Sequence, residues 1–294
     1  MQTTEGTLPF RGRRTWFRVA GPWPAEEGRP PVLVLHGGPG VPHGYLTDLA
    51  DITDSGRTVV FYDQAGCGRS DPLDDPAGWT VDTFVEEVGA VRGELGLDRV
   101  HLFGHSWGGM LGLEYALQRP PGLASLTLAG TTASMPLYAS EVRRLLERLP
   151  DQVRETLAGA VGTAAEYEEA AGAFHKLWMC RLTPYPDHVA QAFAGMNEPL
   201  YEAMVGAEWN VTGTLKDWDV TARLGELDLP VLVTTGRYDA ITPAAVRPLV
   251  EGIRGAQWMV FEESAHLAMA EEPERYRAAL DAFLTRVESD ALHA

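Results

Sequence analysis

The sequence predicts an α/β architecture: a mostly parallel sheet with flanking helices and an inserted helical lid. Three observations predict it. Short apolar runs alternate with helical patterns along most of the chain. The runs are unbroken rather than alternating apolar and polar, as strands covered on both faces require. One stretch, residues 135–214, loses the strand signal and reads as helix, too long at about eighty residues for a simple connection. No repeat or low-complexity tract interrupts this pattern, and 294 residues can bury a sizeable core without disulfides or a structural metal.

Taken in order, residues 8–19 read as a strand pair or hairpin. Residues 31–36 (PVLVLH), 57–62 (RTVVFY), 99–103 (RVHLF), 123–128 (LASLTL), 230–235 (PVLVTT) and 257–261 (QWMVF) read as buried strands. Helices are expected over 81–95, with Thr80 as cap and Gly96 as stop, and over 107–118, 244–253 and 273–287. The core is therefore assigned to residues 1–134 and 215–294 and the lid to 135–214. Because the lid leaves and re-enters at strand ends, it is expected over the carboxyl edge of the sheet, where open α/β sheets bind ligands. The run EVRRLLERLPDQVRE reads as the wet face of an amphipathic lid helix.

Composition removes several function classes. Twenty-four basic residues against 41 acidic ones give a net charge of −17, the wrong sign for a nucleic-acid binder. No stretch approaches the ~20 apolar residues of a membrane span. The amino-terminal MQTTEGTLPFRGRRTWF has no signal-peptide apolar core, and Cys67 and Cys180 are too few for a thiolate metal site. A cytoplasmic protein acting on a small molecule or short peptide, with no nucleic-acid or membrane partner, is expected; oligomeric state is left open. Lys176 and Lys216 are the only lysines, which leaves little for Schiff-base chemistry.

The sharpest signal is Gly104-His105-Ser106-Trp107-Gly108, a G-x-S-x-G between an expected strand and an expected helix. That context makes Ser106 the candidate nucleophile: it would occupy a strained turn that neighbouring glycines permit, with its hydroxyl above the helix amino terminus. An oxyanion needs two preorganised donors. The backbone N–H of Trp107 is one, and Gly38, in the His36-Gly37-Gly38-Pro39-Gly40 loop, is the choice for the other. That loop lacks the Gly-Lys-Ser/Thr ending of a phosphate cradle.

A nucleophilic serine in such a strand–turn–helix elbow is expected in the chain order Ser, acid, His. Asp239 follows the strand at 230–235 and His266 follows the one at 257–261, so both belong to loops at carboxyl ends. Asp217, Asp219 and Asp228 precede their strand and read as surface or capping residues. Of the other histidines, His36 and His105 brace glycine loops, His101 lies in a strand, His175 and His188 in the lid, and His293 in the tail. His266 is thus the base and Asp239 its orienting carboxylate, and this chemistry requires no cofactor and no metal. Cys67 reads as structural for want of a positioned base. Trp107, Trp178 and Trp209 read first as packing and second as pocket walls.

HGGPG (36–40), DQAGCGRS (63–70), GHSWGG (104–109), NVTGTLKDWDV (210–220), GRYDAITP (236–243) and SAHLAMAEEPERY (264–276) together resemble the α/β-hydrolase fold. Within it they resemble the proline iminopeptidase family of serine exopeptidases, over nearly the whole chain. The resemblance implies Ser106, Asp239 and His266 as triad and Gly38 and Trp107 as oxyanion donors, matching the residue-level reading. It also implies that Glu208, just before the NVTGTLKDWDV stretch, holds a substrate ammonium. Some family members carry an acid after the triad aspartate; here that position is Ala240. The expected function is release of an amino-terminal proline, or another small amino acid, from short peptides or amides through an acyl-enzyme. The alternatives are an esterase, thioesterase or amidase for a small metabolite without amino-group recognition, and a non-catalytic receptor on the same scaffold.

Overall fold

The computed structural model describes residues 2–26, 28–159 and 161–292; His293 lies outside them. Eight strands form one sheet. The chain opens with an antiparallel hairpin, β1 (Thr3–Phe10) and β2 (Arg13–Ala20). Next come β3 (Val32–Leu35), β4 (Val59–Tyr62), α1 (Val81–Glu94), β5 (Val100–His105), α2 (Trp107–Leu117) and β6 (Leu123–Ala129). Five helices follow: α3 (Met135–Leu146), α4 (Asp151–Leu157), α5 (Ala164–Trp178), α6 (Asp187–Ala194) and α7 (Glu198–Met204). A short hairpin, β7 (Gly206–Ala207) and β8 (Asn210–Val211), then leads back to the sheet through β9 (Val231–Gly236), α8 (Pro243–Gly252), β10 (Gln257–Phe261), α9 (Ala268–Glu271) and α10 (Pro273–Leu292).

The strand order is β1-β2-β4-β3-β5-β6-β9-β10. From β4 to β10 every neighbouring pair is parallel, so β3, β5, β6, β9 and β10 release their following loops at one edge. The unbroken apolar runs have a simple cause. Successive residues point to opposite faces, and each face has its own core: Leu33, Leu35 and Val60 pack on one side, Val32, Val34 and Phe61 on the other.

Element ends follow local chemistry. The Thr80 hydroxyl accepts from Thr83 N–H at 3.2 Å and starts α1, and Gly96, at φ 63°, follows its end. The expected strand at 57–62 begins only at Val59; just before it, the Arg57 side chain pairs with Asp281 (2.6 Å) and Glu288 of α10. A 3₁₀ segment, His43–Ser55, was not signalled by any periodicity. Residues 135–214 are mainly helical as expected, but with the small β7–β8 hairpin near their end. Entry and exit of this stretch lie side by side, since Met135 N–H donates to Trp218 O and Val220 N–H to Ala133 O, both at 2.9 Å. The run expected to be the wet face of one lid helix is instead divided between α3 and α4; within α3, Arg143 and Arg144 are exposed while Glu141, Val142 and Leu145 are buried. Among the described residues, no helix is long and apolar enough to cross a membrane.

Candidate active site

Ser106 occupies the turn between β5 and α2 with φ 55° and ψ −121°, a left-handed backbone that costs a non-glycine residue on the order of 1–3 kcal/mol. The surroundings over-determine it. Ser106 N–H donates to Ala129 O at 2.9 Å, continuing the β5–β6 pairing, while its carbonyl accepts from Thr131 Oγ1 at 2.7 Å. Gly108 lets α2 press against β3, for a Cβ there would lie 2.0 Å from Leu35 O.

Asp239 and His266, each in the loop after its strand, meet at this turn. His266 Nδ1 donates to Asp239 Oδ1 at 2.8 Å, and the same oxygen accepts from Ile241 N–H at 2.7 Å. Both side chains are buried, at 1% and 5% exposure, and His266 shares a cavity with Ser106. Burial alone would lower the His266 pKa; the charge of Asp239 and its hydrogen bond outweigh this and raise it above the ordinary imidazole value. An imidazole oriented by a buried carboxylate beside a hydroxyl at a helix amino terminus is competent for nucleophilic acyl transfer.

The glycine loop after β3 approaches from the other side. Gly37 N–H is already used, donating to Tyr45 Oη at 2.7 Å. Gly38, at φ 108°, has a backbone that an L side chain rarely adopts, and it lines the cavity together with Trp107. Among the described residues, neither the Gly38 nor the Trp107 N–H has a protein acceptor, which leaves both free to meet an oxyanion.

A hydrogen-bonded relay ties the three loops together. Gly37 N–H donates to Tyr45 Oη, whose O–H donates to His105 Nδ1 at 2.8 Å; His105 Nε2–H donates to the His266 carbonyl at 3.0 Å. Burial holds the His105 pKa well below the ordinary value, so the ring is neutral and can accept and donate in this order. His36 braces similarly: Gln64 N–H donates to its Nε2 at 2.9 Å, and burial lowers its pKa to about 4.

The cavity measures about 280 Å³ and is walled chiefly by apolar groups, including Met110, Met135, Met179 and Met196. Glu208 lies in it, the only carboxylate among the described lining residues, and Ala240 adds an apolar surface. Unanticipated by the sequence, His175 also reaches the cavity, its Nε2 2.6 Å from Glu208 Oε2. The one available signal was helical phase: His175 stands four residues after buried Ala171 and next to buried Phe174, on the flank of the apolar stripe of α5. Of the three tryptophans weighed above, Trp107 lines the cavity, Trp178 packs on Phe174 (ring centroids 4.9 Å apart) and Trp209 on Phe174 and Tyr167. Cys67 and Cys180 are free and buried, with thiol pKa values pushed up by burial, the reverse of an activated thiolate. Asp217, Asp219 and Asp228 are exposed, and Asp219 caps the next turn by accepting from Thr221 N–H at 2.8 Å.

This fold and this strand-edge site define an α/β hydrolase, and residues 30–273 match the family described as the alpha/beta hydrolase fold. Within it, the chain is 37% identical over 290 residues to the proline iminopeptidase of Heyndrickxia coagulans, covering 97% of this chain and 99% of the relative. It superposes with TM-score 0.91 on the crystal structure of proline iminopeptidase from Mycobacterium smegmatis, at 39% identity, covering 98% of this chain and all (100%) of the other. It superposes with TM-score 0.92 on the crystal structure of VinJ, at 40% identity and coverages of 97% and 99%. The chain belongs to the proline iminopeptidase family of α/β hydrolases and is a hydrolase of the aminopeptidase type.

Proposed function

We propose that Ser106, His266 and Asp239 are the catalytic triad of an aminopeptidase that releases an amino-terminal proline, or another small residue, from short peptides or amides. The observation that carries this reading is the His266–Asp239 bond of 2.8 Å beside Ser106, in a cavity whose described lining offers a single carboxylate, Glu208. Glu208 holds the substrate ammonium, since an apolar wall makes one fixed negative charge selective for a cation. With the amine so held, Ser106 Oγ attacks the carbonyl carbon as His266 Nε2 takes its proton. The Gly38 and Trp107 N–H groups stabilise the resulting oxyanion, helped by the positive end of α2. The imidazolium then protonates the leaving amine as the C–N bond breaks, and water, deprotonated by His266, hydrolyses the aminoacyl ester.

In this reading residues 135–214 form a cap that closes the cavity, supported by the walls that Met135, Tyr138, Met179, Phe193 and Tyr201 provide. Two free, buried thiols support a reducing, cytoplasmic setting, and a net charge of −17 argues against a nucleic-acid partner. A second reading, hydrolysis of small esters or amides without amino-group recognition, is favoured by Ala240, where a second acid would have strengthened the cation site. The two separate on one comparison: a prolyl arylamide against its N-acetyl form. The aminopeptidase reading expects turnover of the free amine and loss of it on acetylation; equal rates establish the second reading in its place.

A further inference from the structure

Glu208 is not vacant in the free protein. Its Oε2 lies 2.6 Å from His175 Nε2, and the second carboxylate oxygen has no protein partner among the described residues. The two residues come from separate elements, His175 from α5 and Glu208 from the turn between β7 and β8. Both line the cavity that also holds Ser106 and His266, and their side chains retain 35% and 20% exposure. Neither is locked in a dry core, so the pair can part without opening the fold.

We propose that His175 is the resident counter-cation of Glu208, that the substrate ammonium displaces it, and that amine binding is therefore coupled to release of the His175 proton to solvent. This deepens the aminopeptidase reading and rests on amino-group recognition by Glu208. A single carboxylate neutralises one cation. Seating an ammonium beside a protonated imidazole would leave a net positive charge among methionines and aromatic rings, where it is poorly screened. Among the described lining residues Glu208 is the only carboxylate, with Ala240 contributing an apolar surface, so no second acid relieves this conflict.

The groups facing His175 are few. Glu208 lies opposite, and Glu168 acts from its own helix. Trp209 lies tilted against its ring, centroids 6.1 Å apart, and Tyr167 packs on Trp209. Across the cavity, Tyr138, Tyr185, Tyr201 and His266 all feel the Glu208 charge. Burial would lower the His175 pKa, but Glu208 and Glu168 outweigh it and set it above the ordinary imidazole value. The protonated, competing form thus persists towards neutral pH, and deprotonation on the alkaline side frees Glu208 for the substrate.

The test is KM and kcat for a prolyl arylamide between about pH 5.5 and 8.5, for wild type, His175→Gln and Glu208→Gln, with the N-acetyl arylamide in parallel. Gln keeps a donor to Glu208 but cannot carry a proton charge. Wild-type KM is expected to fall as pH rises, by up to about tenfold per unit below the His175 ionisation. In His175→Gln that slope disappears, with KM below wild type at the acid end; Glu208→Gln raises KM throughout. A merely structural pair would move stability without moving the KM slope. As a check independent of that variant, calorimetry of Ser106→Ala with prolinamide, in buffers of different ionisation heat, should register proton release near the His175 ionisation. Retention of the KM slope in His175→Gln, or ligand binding without proton release, overturns the displacement; the amino-group reading survives if acetylation still abolishes turnover. Equal turnover of the N-acetyl substrate overturns both.

Discussion

The sheet wall and the helical wall of the cavity are held in different ways. On the sheet side, Ser106 is half-buried and fixed by backbone pairing, while Asp239 and His266 are held by near-total burial and the Gly37–Tyr45–His105–His266 relay. On the helical side, His175 and Glu208 meet through one ion pair, 35% and 20% exposed, among flexible methionines. The contrast fits the two tasks. Acyl transfer needs groups pre-set to within fractions of an ångström, whereas recognition of varied substrates tolerates, and uses, a surface that can repack.

If the sheet wall does the chemistry, damage there should be catastrophic to kcat and damage opposite should not. The largest effect is expected for Ser106→Ala, a loss of roughly 10⁶-fold in kcat, read against thermal unfolding to show an intact fold. Asp239→Asn should cost about 10⁴-fold by presenting the wrong tautomer of His266. In wild type, kcat/KM should climb as pH rises through a value above the ordinary imidazole range, because Asp239 raises the His266 pKa and only the neutral ring is a base.

Next comes stability beneath the site. Glu87 is fully enclosed, accepting from Thr15 Oγ1 at 2.5 Å and Ala65 N–H at 2.9 Å, and burial raises its carboxyl from 4.5 to about 7. A raised acid favours the fold while it is protonated: its contribution is complete below the unfolded value and lost as pH rises through the folded one. Glu87→Gln should therefore abolish a pH-dependent loss of roughly 3 kcal/mol between pH 5 and 8, measured by urea unfolding. Tyr45→Phe leaves Gly37 N–H and His105 Nδ1 without their partner. It should cost about 1–3 kcal/mol, seen both in stability and in kcat. Met179→Leu, on the helical wall, should be smallest, below about 1.5 kcal/mol and confined to KM. A kcat loss there as large as that of Tyr45→Phe would break the distinction between the walls.

The same contrast governs what could be read from the chain alone. The sheet wall is legible because strand–turn–helix punctuation and chain order locate Ser106, Asp239 and His266 without any knowledge of the cap. Gly38 is reached from its place in the glycine loop after β3, whereas the engagement of the Gly37 N–H by Tyr45 Oη needs the fold. The helical wall resisted. His175 acquires meaning only when α5 folds against a turn 33 residues away, and no local pattern encodes that meeting. Glu208 was reached through resemblance alone, and the two-residue strands of β7 and β8 are too short to leave a periodic trace. The 3₁₀ segment at His43–Ser55 escaped for a related reason: its buried residues answer to the α10 face of the sheet rather than to a helical period of their own.

The claim under all of this is that one hydroxyl, in a strained turn, performs the bond cleavage. Treating the intact protein with a fluorophosphonate and mapping the adduct by peptide mass spectrometry tests it most directly. A single label on the Ser106 peptide, rising in step with complete loss of arylamide hydrolysis and absent from Ser106→Ala, is the predicted result. A label on a different residue, or full turnover by protein fully labelled at Ser106, would contradict it.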